Sequence, residues 1–332
     1  MAKNNLIYYF YLHWIVMNAK KLLPILIGAL TFTNAIAATA PSAAAPVANQ
    51  EVQQKPTPKD TKMEPKNQAE IDFKKGGDVF KKENISPADE KEAFKYFKLS
   101  ADGGYAPAAY NVGIMYLSGS GTEQNNNLAI KYLKDAADKN EVKSQATLGV
   151  IYLLGEYGQA KNNTEAHHYL DQVLKNNSKE ANQLLTGIAL KYNALPGEDN
   201  KKEAFKFFKA AADRGEGNAS YYVGVAYKDG VAVPKNIPQA VQYFLKSANS
   251  GNPFALIKLS EMSQTGEGLP KNKLKSLALA YVAAAMVPKA LPIKQALDAN
   301  ATPKEKEEAH KMAGQILKER RLDKFLGVPL KK

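Results

Sequence analysis

Apolar side chains recur along this chain with the spacing of helix faces, and residues 219–252 show the pattern most fully. Residues at offsets 0, 4, 8 and 11 trace one face of a first helix: Ala219, Val223, Tyr227 and Gly230. Gly230 is predicted to end that helix, because glycine adopts the left-handed conformation found at helix C-termini. A second apolar stripe follows at offsets 0, 3, 4, 7 and 8: Ala240, Tyr243, Phe244, Ser247 and Ala248. Asn236 is predicted to cap this second helix, since its side chain can accept a bond from a free backbone N–H.

The same two-helix pattern returns about six times, roughly every 36 to 38 residues. In the second helices an alanine lies four residues after an Asp or Asn and is followed at +3 and +4 by two large side chains; these alanines are Ala93, Ala129, Ala166, Ala204 and Ala240. In the first helices a glycine, here called the marker glycine, recurs at spacings of 36, 38 and 37 residues: Gly113, Gly149, Gly187 and Gly224. A fixed period in this range indicates an array of repeats over residues 71–290.

The marker glycines predict close packing between the two helices of a repeat. A glycine inside a helix costs about 1 kcal/mol relative to alanine, so its return at one offset needs an offsetting contact. Two repeats depart from the pattern. The fourth has Leu190 and Asn193 where tyrosine and glycine are expected, and the sixth has Ser260 and Ser263 in place of glycine and tyrosine.

The residues after the array predict one more helix. Thr302, Pro303 and Glu305 have the order of an N-cap, a first-turn proline and a capping-box glutamate. This helix is expected to run to about Phe325, with Gly327 just beyond it, and to cover the end of the array. Residues 291–332 are therefore predicted to form a C-terminal capping helix and tail.

The N-terminus has the features of a secretory signal peptide over residues 1–37. Lys20 and Lys21 precede an apolar run over residues 22–30, and Ala35-Ile36-Ala37 has the A-x-A form of a cleavage site. Residues 1–16 fit this organisation poorly, so Met17 is a second candidate start, and an uncleaved anchor over residues 6–37 is the alternative. Residues 38–70 are rich in Ala, Pro, Gln and Lys without apolar periodicity, and are predicted to form a disordered tether. The expected location is periplasmic or secreted, in a Gram-negative bacterium.

Composition narrows the chemistry. The chain has no cysteine, which excludes disulfides and thiolate sites. Its formal charge is +12; residues 1–37 carry three lysines and no acid, so the rest is +9. Only three of the basic residues are arginines, whereas bidentate recognition of phosphate or bases favours arginine, so no nucleic-acid partner is expected. The lysines indicate either a solvated helical surface or attraction to an acidic partner or an anionic envelope surface.

No catalytic, cofactor-binding or metal-binding residues are predicted. His167 and His168 are neighbours on a helix and point about 100° apart, so they cannot chelate a metal as an i, i+4 pair does. The loops 119–121 and 266–268 contain Gly-x-Gly but follow no predicted strand, which argues against a nucleotide site. No acid–base pair or nucleophile cluster stands out, so the chain is not expected to be an enzyme or to take a small-molecule substrate.

The motif A-x-x-x-[LV]-G-x-x-Y-x-x-G, followed after a loop by A-x-x-[YF]-[FL]-x-x-[AS]-A-x-x-G, resembles the Sel-one-like repeat (SLR) family. Residues 219–230 and 204–215 match it almost completely, and the resemblance covers about residues 72–290. It implies an all-α fold, a right-handed superhelix (α-solenoid) of about six stacked helix–turn–helix repeats related to the tetratricopeptide repeat. It also implies a non-catalytic scaffold for a protein or peptide partner, in the bacterial cell envelope or secreted fraction, regulating envelope enzymes or acting on a host.

The predicted partner-binding face lies on the first helices, two residues before and two after each marker glycine. It consists of Asn111, Met115, Thr147, Ile151, Leu185, Ala189, Tyr222 and Ala226. The alternative for these residues is packing against the neighbouring hairpin. Two other functions stay open: a peptidoglycan-binding or cell-wall-modifying protein, and a purely structural envelope spacer.

Overall fold

A computed structural model describes residues 65–82, 84–319 and 321–330. These residues form fifteen α-helices and one 3₁₀ turn at Pro288–Ala290. The helices are α1 (Pro65–Val79), α2 (Pro87–Asp102), α3 (Ala106–Ser118), α4 (Asn126–Asp138), α5 (Val142–Leu154), α6 (Asn163–Lys175), α7 (Lys179–Ala194), α8 (Glu198–Asp213), α9 (Gly217–Asp229), α10 (Ile237–Asn249), α11 (Pro253–Thr265), α12 (Lys273–Met286), α13 (Leu291–Ala299), α14 (Pro303–Glu319) and α15 (Leu322–Leu326). The predicted all-α class is confirmed for the described residues. The signal peptide predicted at 1–37 and the tether as far as residue 64 lie outside them.

Within each unit the helices pair as the sequence predicts, a first helix with the second helix that follows: α1 with α2, α3 with α4, α7 with α8, α9 with α10 and α11 with α12. The described residues divide into two compact units, the first made of those up to residue 151 with 155–161, and the second of residues 152–154 with those from 162 onwards. In the first unit α1 packs on α2, α2 on α3 and α3 on α4. In the second unit each helix from α7 to α12 packs on the next. Each unit is therefore a stack of helical hairpins.

The loops inside most repeats begin with a glycine and end with an asparagine. The first helix ends at a glycine in the left-handed conformation, with φ of 72° at Gly119 and 71° at Gly230. The second helix begins at an asparagine whose side chain accepts a bond from the backbone N–H three residues later; these are Asn125, Asn162, Asn236 and Asn272. Each of these asparagines also donates its own backbone N–H to the first helix, as Asn236 does to the Tyr227 carbonyl at 2.7 Å. The predicted cap at Asn236 is confirmed, and it ties the two helices together.

The close approach predicted from the marker glycines is confirmed at two of them. A Cβ added at Gly113 would lie 2.7 Å from Leu133 Cγ, and one added at Gly224 would lie 2.7 Å from two Phe244 ring carbons. At Gly187 the prediction is wrong, because no atom of another helix would lie within 4 Å of such a Cβ.

The register of the fourth repeat explains that failure. A tyrosine three residues after the marker stacks on the second helix: Tyr116 on Tyr132 with ring centroids 5.8 Å apart, and Tyr227 on Tyr243 at 5.9 Å. In the fourth repeat the stacked pair is Tyr192 on Phe207, at 5.5 Å. The marker position is therefore Ala189, which is fully buried, and Gly187 lies two residues too early.

In the sixth repeat, serines replace the marker glycine of the first helix and the alanine of the second helix. Ser260 occupies the marker position, and its hydroxyl donates to the Ser276 carbonyl at 2.7 Å. Ser276 occupies the position of the second-helix alanine, and both serines are fully buried. The departure noted in the sequence is thus a paired substitution that keeps the buried hydroxyl satisfied.

The ends of the array differ from the prediction. Helix α1 begins at Pro65, so residues 65–70 belong to a helix, and buried Ala69 accepts a bond from the Ser100 hydroxyl at 2.6 Å. At the other end the capping box is confirmed, because Thr302 Oγ1 accepts from Glu305 N–H and Glu305 Oε2 accepts from Thr302 N–H. The single helix predicted to reach Phe325 is wrong: α14 ends at Glu319 and α15 starts at Leu322 after a non-helical Arg321.

This break lets the C-terminal segment reach two second helices. Helix α14 packs on α12 and α15 packs on α10. The backbone N–H of Leu322 donates to the Asn249 side chain at 3.1 Å, and Gln242 donates to the Pro329 carbonyl at 3.0 Å. The C-terminal segment therefore covers the last second helix, as predicted, and also the one before it.

Candidate partner-binding surface

The eight residues predicted to face a partner divide into two groups. Four are buried, with 2% or less of their surface exposed: Met115, Ile151, Leu185 and Ala189. The other four are partly exposed: Asn111, Thr147, Tyr222 and Ala226. The buried four cannot contact a partner in this conformation, so the predicted face is only half accessible.

The position two residues after the marker is turned towards the preceding repeat. Tyr222, two residues before Gly224, already stacks on Phe208 of the preceding second helix, with ring centroids 4.5 Å apart. A residue four positions later is rotated about 40° further in the same direction. Met115 and Ile151 are buried at this later position, whereas Ala226 of the fifth repeat stays partly exposed.

The fourth repeat fails for another reason. The marker position of this repeat is Ala189. Leu185 therefore lies four residues before the marker position, and Ala189 occupies the marker position itself. Both therefore face the α7–α8 hairpin, and both are fully buried.

The accessible stripe on the first helices lies two residues before and one residue after the marker. In the first unit it comprises Asn111, Ile114, Thr147 and Val150, and in the second unit Gly187, Leu190, Tyr222, Val225, Lys258 and Glu261; all are partly or well exposed. Leu190 has 36% of its surface exposed, which is unusual for a leucine in a helix of this array. Four residues of this stripe were not predicted: Ile114, Val150 and Val225, each one residue after a marker glycine, and Leu190, one residue after the marker position Ala189.

An aromatic cluster extends this stripe between α9 and α11. The ring of Tyr221 lies 5.4 Å from that of Tyr222 and 6.1 Å from that of Phe254, which is 37% exposed. The ammonium group of Lys289 lies 5.6 Å from the centre of the Phe254 ring. Exposed aromatic surface beside a cation is typical of protein-binding sites, where large rings contribute contact area at low entropic cost.

Lys258 and Glu261 form an ion pair beside this cluster. Lys258 donates to Glu261 at 2.9 Å. Burial works against the charged form of Lys258, but the hydrogen bond and charge of Glu261 outweigh it, so the pKa of Lys258 is raised. Burial also raises the pKa of the Tyr221 hydroxyl, which therefore stays neutral.

Part of the lysine excess is neutralised by a bridge that recurs between successive second helices. Lys98 donates to Asp102 at 2.7 Å, and Asp102 accepts from the Tyr132 hydroxyl of the next repeat at 3.2 Å. Lys209 and Asp213 are joined in the same way, and Asp213 accepts from the Tyr243 hydroxyl at 3.1 Å. Each aspartate thus joins a lysine of its own helix to a tyrosine of the next hairpin, and its charge offsets that of the lysine.

Within the described ranges no group of three or more His, Asp or Glu side chains could hold a metal ion. His168 interacts with Gln172 at 3.2 Å, while the His167 ring lies 6.4 Å from that of Tyr192. In the same ranges, no helix combines the length and apolar character that crossing a bilayer requires.

The comparisons with known proteins agree on the fold. The solved structure of a protective antigen from uropathogenic Escherichia coli, which displays an SLR fold, is similar with a TM-score of 0.59 and 19% identity, covering 80% of this chain and 57% of that one. A Sel1 repeat protein from Oxalobacter formigenes gives a TM-score of 0.51 and 22% identity, covering 73% of this chain and 96% of that one.

Two curated relatives share part of the sequence. The protein named DAP3-binding cell death enhancer 1 of Rattus norvegicus is 39% identical over 170 residues, 51% of this chain and 33% of the relative. Its Mus musculus counterpart is 36% identical over 170 residues. The chain thus spans about a third of the length of these relatives.

The model of the Sel1 repeat matches the chain six times, at residues 83–105, 106–141, 142–177, 190–216, 217–252 and 253–286. None of these matches indicates a catalytic family, and Sel1 repeat proteins act as protein–protein interaction scaffolds. The six matches cover more than half of the sequence; four of them span a first helix and the second helix that follows, while 83–105 covers α2 and 190–216 covers α8 with the end of α7. The chain therefore belongs to the Sel1 repeat family.

Proposed function

We propose that this protein is a non-catalytic scaffold that binds a protein or peptide partner through the accessible stripe on its first helices. The observation that carries the proposal is the exposed apolar and aromatic surface of the second unit, which includes Leu190, Tyr222, Val225 and Phe254. Exposed aromatic and aliphatic side chains on a rigid helical scaffold are suited to anchoring a partner. The names of the rodent relatives, which describe binding to another protein, support this class of function.

The stripe can be tested at two of its exposed apolar residues, Leu190 and Phe254. Leu190→Glu and Phe254→Glu place a charge on the stripe, which should remove apolar contact area and repel or desolvate a partner's anchor. The measurement is crosslinking in living cells with the full chain as bait, followed by quantification of the captured proteins. At least a tenfold loss of the specific partner is expected for each variant, since anchor residues contribute about 2 kcal/mol or more.

Leu99→Glu is the matched control, because Leu99 is a half-exposed leucine on the second helix α2. It should retain both the partner and the helical circular-dichroism signal. Capture that survives in both stripe variants would show that this surface is not the partner site.

The cellular setting is a separate proposal. We infer that the protein acts outside the bacterial cytoplasm, in the periplasm or after secretion, and this inference rests on residues 20–37 alone. The rodent relatives give it no support. Fractionation of cells expressing the full chain, with N-terminal sequencing of the product, should find a protein starting at Ala38 outside the cytoplasm. A product that starts at Met1 or Met17 in the cytoplasm would refute it.

A further inference from the structure

The loop between the two helices of a repeat normally packs on the second helix of the repeat before it. A Cβ added at Gly268 would lie 2.4 Å from Ile237 and 3.1 Å from Val241, and one at Gly121 would lie 2.2 Å from the Glu90 backbone. Glu90 and Ile237 hold the same position, three residues before the second-helix alanine. The loop glycine thus fills the space above the first turn of the preceding second helix.

The fourth repeat has no such loop. Only residues 195–197 separate α7 from α8, whereas seven residues separate α9 from α10 and α11 from α12. Helices α7 and α8 each have 16 residues, whereas α9 and α10 each have 13. Gly197, with a φ of 100°, turns the chain directly into α8. No loop residue covers the first turn of α6, and a cavity of about 300 Å³ lies there.

Leu153 lines this cavity, and two side chains of α6 at the cavity are polar where those of the equivalent repeat are apolar. Asn163 and His167 occupy the positions that Ile237 and Val241 occupy in the fifth repeat. Asn200 and Glu203 line it from α8, and Tyr192 lines it from α7. Asp199 and Lys202 lie at its mouth and pair with each other at 3.5 Å.

Two of these groups have hydrogen-bonding capacity that the protein leaves unused. Tyr192 is 2% exposed, and its hydroxyl has no hydrogen-bond partner within the structure. The buried Oε2 of Glu203 also accepts no hydrogen bond, and Lys206 lies 3.7 Å from it. Buried polar groups are nearly always satisfied, so an unpaired hydroxyl and carboxylate oxygen in one cavity call for an explanation.

We propose that this cavity binds the ammonium or guanidinium group of a basic side chain, presented by the partner. Glu203 Oε2 can only accept, and the Tyr192 hydroxyl can accept as well, so the ligand must donate hydrogen bonds. Asp199 pairs with Lys202, and Lys206 lies 3.7 Å from Glu203 Oε2 without donating a hydrogen bond to it, so an anion in the cavity would still meet the Glu203 carboxylate. The Tyr192 ring is buried and already stacked on Phe207, so it offers no open aromatic face on which a sugar would stack.

This inference rests on the proposed function, because it names the chemistry of the partner's anchor. It is tested on the full chain with three probes: N-acetyl-lysine methylamide, the uncharged isostere N-acetyl-norleucine methylamide, and N-acetylglucosamine. The readout is the proton resonance of the His167 ring, identified by its loss in His167→Gln; the chain has only four histidines. A saturable shift with the lysine probe, and at least a tenfold weaker response to the norleucine probe, are expected.

Two conservative variants distinguish loss of the binding site from loss of the fold. Tyr192→Phe keeps the ring stacked on Phe207, and Glu203→Gln keeps the side-chain shape; each should weaken lysine-probe binding about tenfold while leaving the thermal melt near that of the unaltered chain. Tyr227→Phe, the equivalent change in a repeat with a full loop, should leave the titration unaltered.

Three results would overturn the proposal: no shift of the His167 resonance up to about 50 mM lysine probe, an equal response to the norleucine probe, or a shift with the sugar alone. If any of these is found while partner capture still depends on Leu190, the cavity assignment fails and the scaffold proposal stands. If the lysine probe binds and capture is independent of the stripe, the cavity assignment stands and the stripe assignment fails.

Discussion

Gly224 and Gly187 lie on first helices of successive repeats, yet a methyl group would meet different surroundings at each. At Gly224 it would lie 2.7 Å from the ring of Phe244, which is fully buried and cannot swing into solvent. At Gly187 it would meet no atom of another helix within 4 Å. Gly224→Ala should therefore cost about 1–3 kcal/mol through overpacking, more than the helix propensity it gains.

Gly187→Ala is the matched change and should have the opposite sign, stabilising the protein by roughly 0.5–1 kcal/mol through helix propensity alone. Urea denaturation followed by circular dichroism measures both free energies of unfolding. Equal effects at the two sites would refute the close-contact role of Gly224.

Ala232 adopts a backbone conformation that is unfavourable for a residue with a Cβ atom. It holds the loop position of Gly121 and Gly268, and it has a φ of 65°, in the left-handed region that costs a residue with a Cβ about 1–2 kcal/mol. Ala232→Gly removes that strain and loses part of the gain to the greater freedom of glycine in the unfolded chain. A net stabilisation on the order of 0.5–1 kcal/mol is expected.

Val233→Gly provides the comparison, since the adjacent Val233 is not among the residues with positive φ. Thermal melting of both variants is the measurement. Val233→Gly should be destabilised, because it adds conformational freedom to the unfolded chain and relieves no strain. A loss of stability in Ala232→Gly would mean that its methyl group makes a contact worth more than the strain.

At the scale of helices and loops, the sequence was sufficient wherever each repeat kept its capping residues. Asn236 and Gly230 carry local information about where one helix starts and another ends, and local hydrogen bonds decide those boundaries. In the fourth repeat the marker was wrongly predicted at Gly187. The spacing suggested it, because Gly187 lies 20 residues before Phe207, and the equivalent distance from Gly224 to Tyr243 is 19 residues. A shortened loop and two lengthened helices nearly cancel in that count, so spacing alone could not show the shift of register.

The partner stripe was harder to predict than the helices. Helical periodicity identifies which residues share a face, but which face is covered depends on how the preceding hairpin packs. Tyr222 and Met115 hold positions 40° apart on equivalent helices, and only the first is accessible. That difference comes from a contact between repeats, which no pattern within one repeat encodes.

The N-terminal cap of α14 makes a prediction about pH. Glu305 pairs with Lys273, and the hydrogen bonds to Lys273 and to the Thr302 backbone lower its pKa from 4.5 to about 2. A carboxylate with a depressed folded-state pKa stabilises the fold above its unfolded pKa, and the contribution is lost as pH falls from about 4.5 towards 2. Glu305→Gln should therefore lower the melting temperature at pH 7, and the difference from the unaltered chain should shrink steadily below pH of about 4.5.

Glu308→Gln serves as the control for that pH series, because no ion pair of Glu308 is seen among the described residues. Its melting temperature should follow that of the unaltered chain at every pH. A Glu305→Gln difference that persists unchanged from pH 6 to pH 3 would show that the cap acts through its hydrogen bonds and not through its charge.

At the scale of the whole molecule, the C-terminal segment completes the core of the second unit. Ala309, Ala313, Ile316, Leu322 and Leu326 belong to the same buried cluster as the apolar residues of α10, α11 and α12. In a repeat array each hairpin contacts only its neighbours, so stability is a sum of nearest-neighbour terms and the last repeat depends on its cap. The segment after residue 290 is therefore part of the fold of the final two repeats.

Leu326→Ala tests how far that dependence reaches. Leu326 is 3% exposed, so the substitution should cost about 2–5 kcal/mol by leaving a cavity where α15 meets α10. Hydrogen exchange measured by mass spectrometry should show protection lost most in α10 and α12, and progressively less towards α7, because the effect passes from hairpin to hairpin. Leu317→Ala, at a residue 54% exposed on α14, should change protection by less than the equivalent of about 0.5 kcal/mol. Uniform loss from α7 to α15 in Leu326→Ala would instead mean that the second unit opens as one cooperative block, in which case the cap stabilises every hairpin of that unit equally.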